Sequence, residues 1–331
     1  MKKSAPSLSG KTVVITGASS GVGRATAVAF AKKGANLILA ARGAEALQSI
    51  ADSCTALGVR AIPIQTDMTI AAEVTRLAEQ ALQLNGRIDI WVNNAGVLAL
   101  GALDEMPADV IDGVIKTNLL GYLHGARAVL PVFKKQQKGT LINNISIGGW
   151  VAAPYGAAYT ASKYGLRGMV EALQGEVNTF PHIHVCALYP GFQDTPGAKH
   201  AANYLGVQPA NPIPNFDPNR LASAIVKVAQ RPTNSTYPDW SAVFARGAYG
   251  LFPELTRSIM AGLMRMAQRK GTPSNTYPGN VLHPVAYDMR IQAKTSSQRT
   301  ARKAKMLTAA AIGATVLWMV MRPKMSSKSE F

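Results

Sequence analysis

The chain has 331 residues, 47% of them hydrophobic, and a formal net charge of +17. That length holds one large or two ordinary domains, and the apolar content is ample for a core, which excludes a disordered chain. Cys54 and Cys186 show no paired spacing, so a disulfide framework is excluded and a reducing compartment is expected, while the residues after Met1 carry no apolar leader stretch.

In chain order, an apolar run over 11–16 fits a parallel strand buried on both faces. It leads into Gly17, Ser19, Ser20, Gly21, Val22 and Gly23, with a helical pattern over 22–33. Glycines in such a turn let backbone N–H groups approach a pyrophosphate at a helix N-terminus, where the macrodipole also favours an anion. Further strands are expected over 36–41, ending at Arg42, and over 59–65, 88–92, 139–145 and 182–188. Helices are expected over 44–57, 70–85, 105–135, 156–179 and 219–230. Right-handed crossovers turn this alternation into an α/β doubly wound parallel sheet with helices on both faces and a ligand at the carboxyl ends of its strands.

Beyond residue 250 the pattern changes. Residues 251–270 have the spacing of an amphipathic helix, suited to lid a pocket, to meet a second subunit or to lie on a membrane, and a loop rich in Pro, Gly, Asn and Tyr follows to about 288. Residues 257–331 hold 13 Lys/Arg and 2 Asp/Glu, net +11, leaving +6 for the rest, so an anionic partner is expected for this end. The 16 uncharged residues 306–321 are framed by Arg302, Lys303 and Lys305 on one side and Arg322 and Lys324 on the other. As a helix they would reach roughly 24 Å, short of a hydrocarbon layer of roughly 30 Å, a gap that snorkelling basic side chains narrow. Length favours a buried or oligomerising helix, but its terminal place and basic frame favour a C-terminal membrane anchor, with the rest of the chain on the cytoplasmic side.

The densest chemical signal lies at Tyr159 and Lys163, which follow Ser146. Residues four apart on a helix share a face, so the ammonium can sit beside the phenol. A free phenol has a pKa of roughly 10, and each unit of lowering is worth about 1.4 kcal/mol, so a neighbouring cation can bring the group toward neutral proton transfer. With the glycine spacing, Asn93 to Gly96, Asn118, and Pro190 with Gly191, this pair resembles the short-chain dehydrogenase/reductase family over about residues 8 to 250.

The resemblance implies a Rossmann-type domain, a nicotinamide cofactor, and hydride transfer to or from a carbonyl or alcohol carbon. It implies Asn118, Ser146, Tyr159 and Lys163 as the catalytic group: Tyr159 as acid or base, Ser146 holding the substrate oxygen, Lys163 lowering the tyrosine pKa and binding the nicotinamide ribose, and Asn118 holding a water. Gly17, Ser19, Ser20, Gly21, Val22, Asp67 (adenine), Asn94, Gly96, Pro190 and Thr195 (carboxamide) would line the cofactor, with Asn93 structural. Arg42, at a place where NAD users carry an acid, points to NADP(H), although Ser20 stands where a second base is often found. Ile147 replaces the second serine usual in the family. The expected domain plan is 1–250 for a catalytic domain holding both cofactor and substrate sites, 251–300 for a helical and looped extension, and 306–321 for the apolar helix.

Trp150, Val151, Pro154, Tyr155, Phe192 and Tyr204 suggest an apolar pocket wall, and no Lys or Arg falls in 147–158, so a lipophilic carbonyl or alcohol substrate is expected. A homo-oligomer is also expected. No nucleic-acid recognition motif accompanies the basic residues, and His182 and His184 share a strand face without a further metal ligand. Two readings stay open beside the reductase: a catalytically idle NADP-binding scaffold or sensor, and an epimerase or dehydratase on the same fold.

Overall fold

The computed structural model describes residues 6–210 and 215–292. Among these residues, seven parallel strands form one sheet: β1 Thr12–Thr16, β2 Asn36–Ala41, β3 Ala61–Gln65, β4 Ile90–Asn93, β5 Gly139–Asn144, β6 Ile183–Leu188 and β7 Ser235–Thr236. Their spatial order is β7-β6-β5-β4-β1-β2-β3, so the direction of winding reverses between β1 and β4. That is the doubly wound arrangement expected above, and a ligand crevice opens outside the carboxyl ends of the strands at such a reversal.

Alternation along each strand builds two cores. Val13, Ile15, Leu37 and Leu39 face α1 (Gly21–Ala31), α2 (Ala44–Thr55) and α7 (Pro218–Gln230). Val14, Ile38, Ala40 and Trp91 face α3 (Ala71–Asn85), α5 (Gly121–Gln136) and α6 (Ala157–Glu176) on the other side. Strands covered on both faces need no polar alternation, which is why they read as continuous apolar runs.

The expected helix over 105–135 is interrupted. α4 (Ala108–Ile115) passes into a π-helical turn, Lys116–Leu120, before α5 begins. That turn carries Asn118, whose side chain is bonded to the backbone of a neighbouring loop rather than facing out of a regular helix. A helix that the periodicity did not announce, α8 (Trp240–Leu251), precedes α9 (Pro253–Arg269). Glycine and aromatic content give α8 a weak intrinsic signal.

The described residues gather into one compact unit, and residues 293–331, with the expected anchor 306–321, lie outside the described residues. Within that unit, the chain after α9 returns to the sheet end. Asn203 and Tyr277 exchange backbone hydrogen bonds at 2.9 and 3.0 Å, and the Val281 side chain is buried in an apolar cluster with Val110 and Val114. Among the described residues, no helix is long and apolar enough to cross a membrane.

Candidate active site

Where β1 ends, Gly17 has φ +64, and a Cβ there would stand 2.7 Å from the Cα of Ala95. The turn is thus pressed against the end of β4, a closeness that only glycine permits. Asn94 stitches the neighbouring strand ends. Its amide donates to the carbonyls of Thr16 (3.0 Å) and Gly17 (3.3 Å), and its oxygen accepts from the Asn144 amide at 2.9 Å. Its side chain is therefore spent on holding the turn. Asn93 is buried, accepting from Trp91 and donating to Asn143 and to the Tyr122 carbonyl.

Helix α1 starts at Gly21, and the side chain of Ser20 makes no capping bond. Its first amides are thus left to other acceptors. The Gly21 N–H, in this structure, donates to the carbonyl of Arg290 at 2.8 Å. Ser19, Ser20 and Val22 are partly exposed around the same turn. Thr195 also reaches it: a Cβ on Gly21 would meet the Thr195 Cβ at 3.3 Å. The Pro190 carbonyl accepts from the Ile147 N–H at 2.8 Å, tying the strand-end loop after β6 to the Ser146 turn.

Arg42, at the end of β2, helps line a cavity of about 250 Å³ with Asp67, Thr69, Lys116, Val281 and Leu282, and Asp109 and Asp112 also border it. Burial lowers the Arg42 pKa and Asp67 partly offsets this, so a carboxylate does lie near the arginine. Asp67 accepts from both the N–H and the hydroxyl of Thr69 at 2.8 Å. The arginine donates to the carbonyls of Asn280 and Val281.

Ser146, Tyr159 and Lys163 come together beyond the end of β5. Ser146 has φ 120 and ψ 156, a conformation that side chains rarely adopt. It survives because Ile145, Ile147 and Gly149 all donate into the surrounding backbone frame. Its Oγ accepts from Gly148 N–H at 3.1 Å and is hydrogen-bonded to the Tyr159 phenol. A comparison of two variants without the hydroxyl isolates the strain. Ser146→Gly is expected to be more stable than Ser146→Ala by roughly 1–2 kcal/mol in chemical denaturation, since only glycine adopts this conformation freely.

Tyr159 and Lys163 stand one turn apart near the start of α6, as their spacing requires. The Lys163 Nζ lies 5.5 Å from the ring centroids of both Tyr159 and Tyr122. The ammonium does not make the phenol acidic in this state. Burial holds the Tyr159 pKa above its ordinary value, with the Ser146 hydrogen bond pulling the other way. Burial also lowers Lys163 to about 7. A dry site penalises both charged forms, and a lysine that has shed much of its charge near neutrality offers little field to its neighbour.

Asn118 is fully buried and engaged. Its oxygen accepts from Val97 N–H (2.8 Å), and its amide donates to the Val97 carbonyl (2.9 Å) and to Ser162 Oγ (3.2 Å). Ser162 in turn donates to the Tyr159 carbonyl at 2.7 Å, so Asn118 reaches the tyrosine through a neighbour that the sequence reading passed over. Asp239 was also missed. It is buried, and its carboxylate accepts from the Gly191 N–H (3.1 Å) and the Gln193 amide (3.0 Å), with burial raising its pKa. An aspartate just before a helix is a capping signal; its use on the Pro190 loop is a tertiary matter.

The expected pocket wall divides. Trp150 has the guanidinium groups of Arg167 and Arg246 at 4.2 and 4.7 Å from its ring, and so belongs to a cation–π stack. The Tyr159 ring instead packs beside a cluster of Val97, Met106, Ala158 and Tyr204.

The short chain dehydrogenase family profile matches residues 11–204. This chain belongs to the short-chain dehydrogenase family. Uncharacterized oxidoreductase YxnA of Bacillus subtilis (strain 168) is 31% identical over 321 residues, covering 94% of this chain and 90% of the relative, so the likeness runs well past the profile's end. A crystal structure of a Burkholderia phymatum short chain dehydrogenase/reductase in complex with NAD is 27% identical, with a TM-score of 0.68 over 76% of this chain and 97% of that one. An alcohol dehydrogenase from the archaeon Thermococcus sibiricus, complexed with 5-hydroxy-NADP, is 28% identical, with a TM-score of 0.61 over 69% and 95%. Short-chain dehydrogenases of this kind are oxidoreductases, and these neighbours hold NAD in one case and an NADP derivative in the other.

Proposed function

We propose that this short-chain dehydrogenase is an NADP(H)-dependent reductase or alcohol dehydrogenase for a lipophilic carbonyl or secondary alcohol, with Tyr159 as general acid or base. The observation that carries the reading is the meeting of Ser146, Tyr159 and Lys163 at the carboxyl ends of the strands, with Lys163 buried and Ser146 and Tyr159 half-buried beside it. A dinucleotide fits the residues present: a glycine turn too tight for any Cβ, a helix start without a side-chain cap, and a cation where the adenosine ribose would lie.

The bound nicotinamide supplies or takes the hydride. The protein's own part is the proton and the geometry. Tyr159 gives its phenolic proton to the carbonyl oxygen in reduction and takes one from the hydroxyl in the reverse direction. Ser146 Oγ holds that oxygen. Lys163 holds the nicotinamide ribose, and an anionic ligand nearby restores the ammonium that burial weakens. Thr195 and Pro190 would hold the carboxamide, Gly17, Ser19, Ser20, Gly21 and Val22 the pyrophosphate, and Asp67 and Gly96 would form the remaining wall. Asn118 and Asn94 act as positioning residues, since their amides are committed to protein partners. The apolar cluster against Tyr159 suits a lipophilic substrate.

The test is oxidation of NADPH and NADH by the full chain across apolar ketones and aldehydes. Turnover with NADPH preferred supports the reading; binding of NADPH without turnover across a broad panel favours the idle sensor. Arg42→Ala is expected to lower the ratio of NADPH to NADH affinity by roughly 10- to 100-fold, the worth of charge-assisted hydrogen bonds to a 2′-phosphate. An unchanged ratio removes Arg42 from cofactor choice.

Membrane association belongs to the same proposal. Trp240, Val243, Phe244, Leu251 and Phe252 are exposed on α8 and just after it, an apolar face suited to a lipid surface.

A further inference from the structure

The segment 279–292 runs across the cofactor groove and satisfies the very groups that the proposed reading assigns to the cofactor's phosphates. At one end, Arg42 donates through Nη1 to the Val281 carbonyl at 3.4 Å and through Nη2 to the Asn280 carbonyl. At the other, the Gly21 N–H donates to the Arg290 carbonyl at 2.8 Å, and Arg24 reaches the Met289 carbonyl at 3.3 Å. A backbone carbonyl oxygen stands at each place where a phosphate oxygen would be received: the 2′-phosphate beside Arg42 and the pyrophosphate at the start of α1.

The strap is pinned rather than loosely laid. Asp288 pairs with Lys199 at 3.3 Å and with Arg290 at 2.6 Å, and it holds φ 54, a left-handed conformation that aspartate tolerates. The Tyr287 carbonyl bonds His200 Nε2 at 2.9 Å, its hydroxyl donates to the Lys199 carbonyl at 3.1 Å, and the two rings meet edge-on at 5.2 Å. Gln292 donates to Asp217 at 2.8 Å. Lys199 and His200 lie just beyond Thr195, so the pins join the strap to the loop expected to meet the nicotinamide.

We propose that residues 279–292 are a built-in competitor of the dinucleotide: the strap's carbonyls occupy the anion-recognition points at Gly21 and Arg42, and NADP(H) binds by displacing them. The proposal rests on the cofactor reading above. A carbonyl is only a dipole, whereas a phosphate carries full charge and makes the stronger, charge-assisted bonds. Exchange therefore favours the cofactor once the pins yield. Until they do, apparent affinity is the intrinsic affinity reduced by the fraction of molecules with the strap open.

The test uses the full chain carrying Tyr287→Ala and Asp288→Ala together, which removes the Tyr287 ring and hydroxyl contacts and the Asp288 ion pairs without touching Gly21 or Arg42, and leaves the Gln292 bond to Asp217 and the Tyr287 carbonyl bond in place. NADPH affinity is measured by fluorescence titration. Hydrogen exchange of residues 279–292 in the unsubstituted protein is followed with and without NADPH, so the outcome does not depend on the variant's fold. We expect the variant to bind NADPH at least about tenfold more tightly, as follows if the open form is a minor population, and NADPH to speed exchange across the strap. Equal or weaker binding by a folded variant, or slower strap exchange with NADPH, overturns the competitor and leaves the cofactor reading standing. Failure of NADPH to bind either protein overturns both.

Discussion

Tyr159→Phe is expected to lower kcat for carbonyl reduction by about 10²–10⁴-fold, the usual worth of a positioned proton donor, while NADPH affinity changes little. The ring itself is well kept. It packs against the Val97 and Ala158 cluster and lies so near Gly148 that a Cβ there would meet it at 3.1 Å. Phenylalanine fills the same space, and Ser146 Oγ retains its bond from the Gly148 N–H, so stability should move by no more than about 1 kcal/mol. Steady-state kinetics with a titration of NADPH separates the two effects. Activity that survives the substitution would take the proton-transfer role away from Tyr159. Loss of NADPH binding along with turnover would instead assign the residue to holding the cofactor.

The second large effect is on pH. The Lys163 pKa is lowered to about 7 by burial from a model-compound value of 10.5. Between those two values the unfolded chain holds a proton that the folded chain has released, so raising the pH favours the folded state. The destabilising contribution of Lys163 is complete below about 7 and is lost by the time the pH passes 10.5. Lys163→Met should therefore be more stable than the parent near pH 6–7, by an amount of the order of a few kcal/mol, with the gap closing as pH rises. Cys186 and Tyr159, whose pKa values burial raises, act in the opposite sense at alkaline pH, but they are common to both proteins and cancel in the difference. Denaturant midpoints of the cofactor-free proteins over this range decide it. A constant gap would mean that Lys163 keeps its proton when folded. The same substitution should abolish turnover if Lys163 holds the nicotinamide ribose as proposed, because that contact and the ammonium go with it.

These two residues also mark how far a linear reading reaches. Tyr159 and Lys163 share a helix, so their neighbourhood follows from local geometry and was legible at once. The glycine turn, Ser146 at a strand end and Arg42 at another were legible for the same reason: each sits at a fixed place in its own strand or helix. The sign of the tyrosine shift was not. Proximity of a cation predicted a lower pKa, whereas the burial of both groups, visible only once helices and strands enclose them, raised it. Trp150 was read as a pocket wall, yet its faces are taken by Arg167 and Arg246 from two different helices. Asp239 gave no signal in the sequence, since the helix α8 that it precedes was itself not announced, and nothing in its neighbours pointed to the Gly191 amide.

The sequence by itself determined the doubly wound α/β class, the order along the chain of the six longer strands and most of the helices around them, and the family, because hydrophobic period and short-range motifs are properties of neighbouring residues. Only the tertiary structure decided what surrounds the site. The return of residues 279–292 to Gly21 and Arg42 joins positions more than two hundred residues apart in the chain, and such a contact depends on how the sheet and its connections pack, which no local period records.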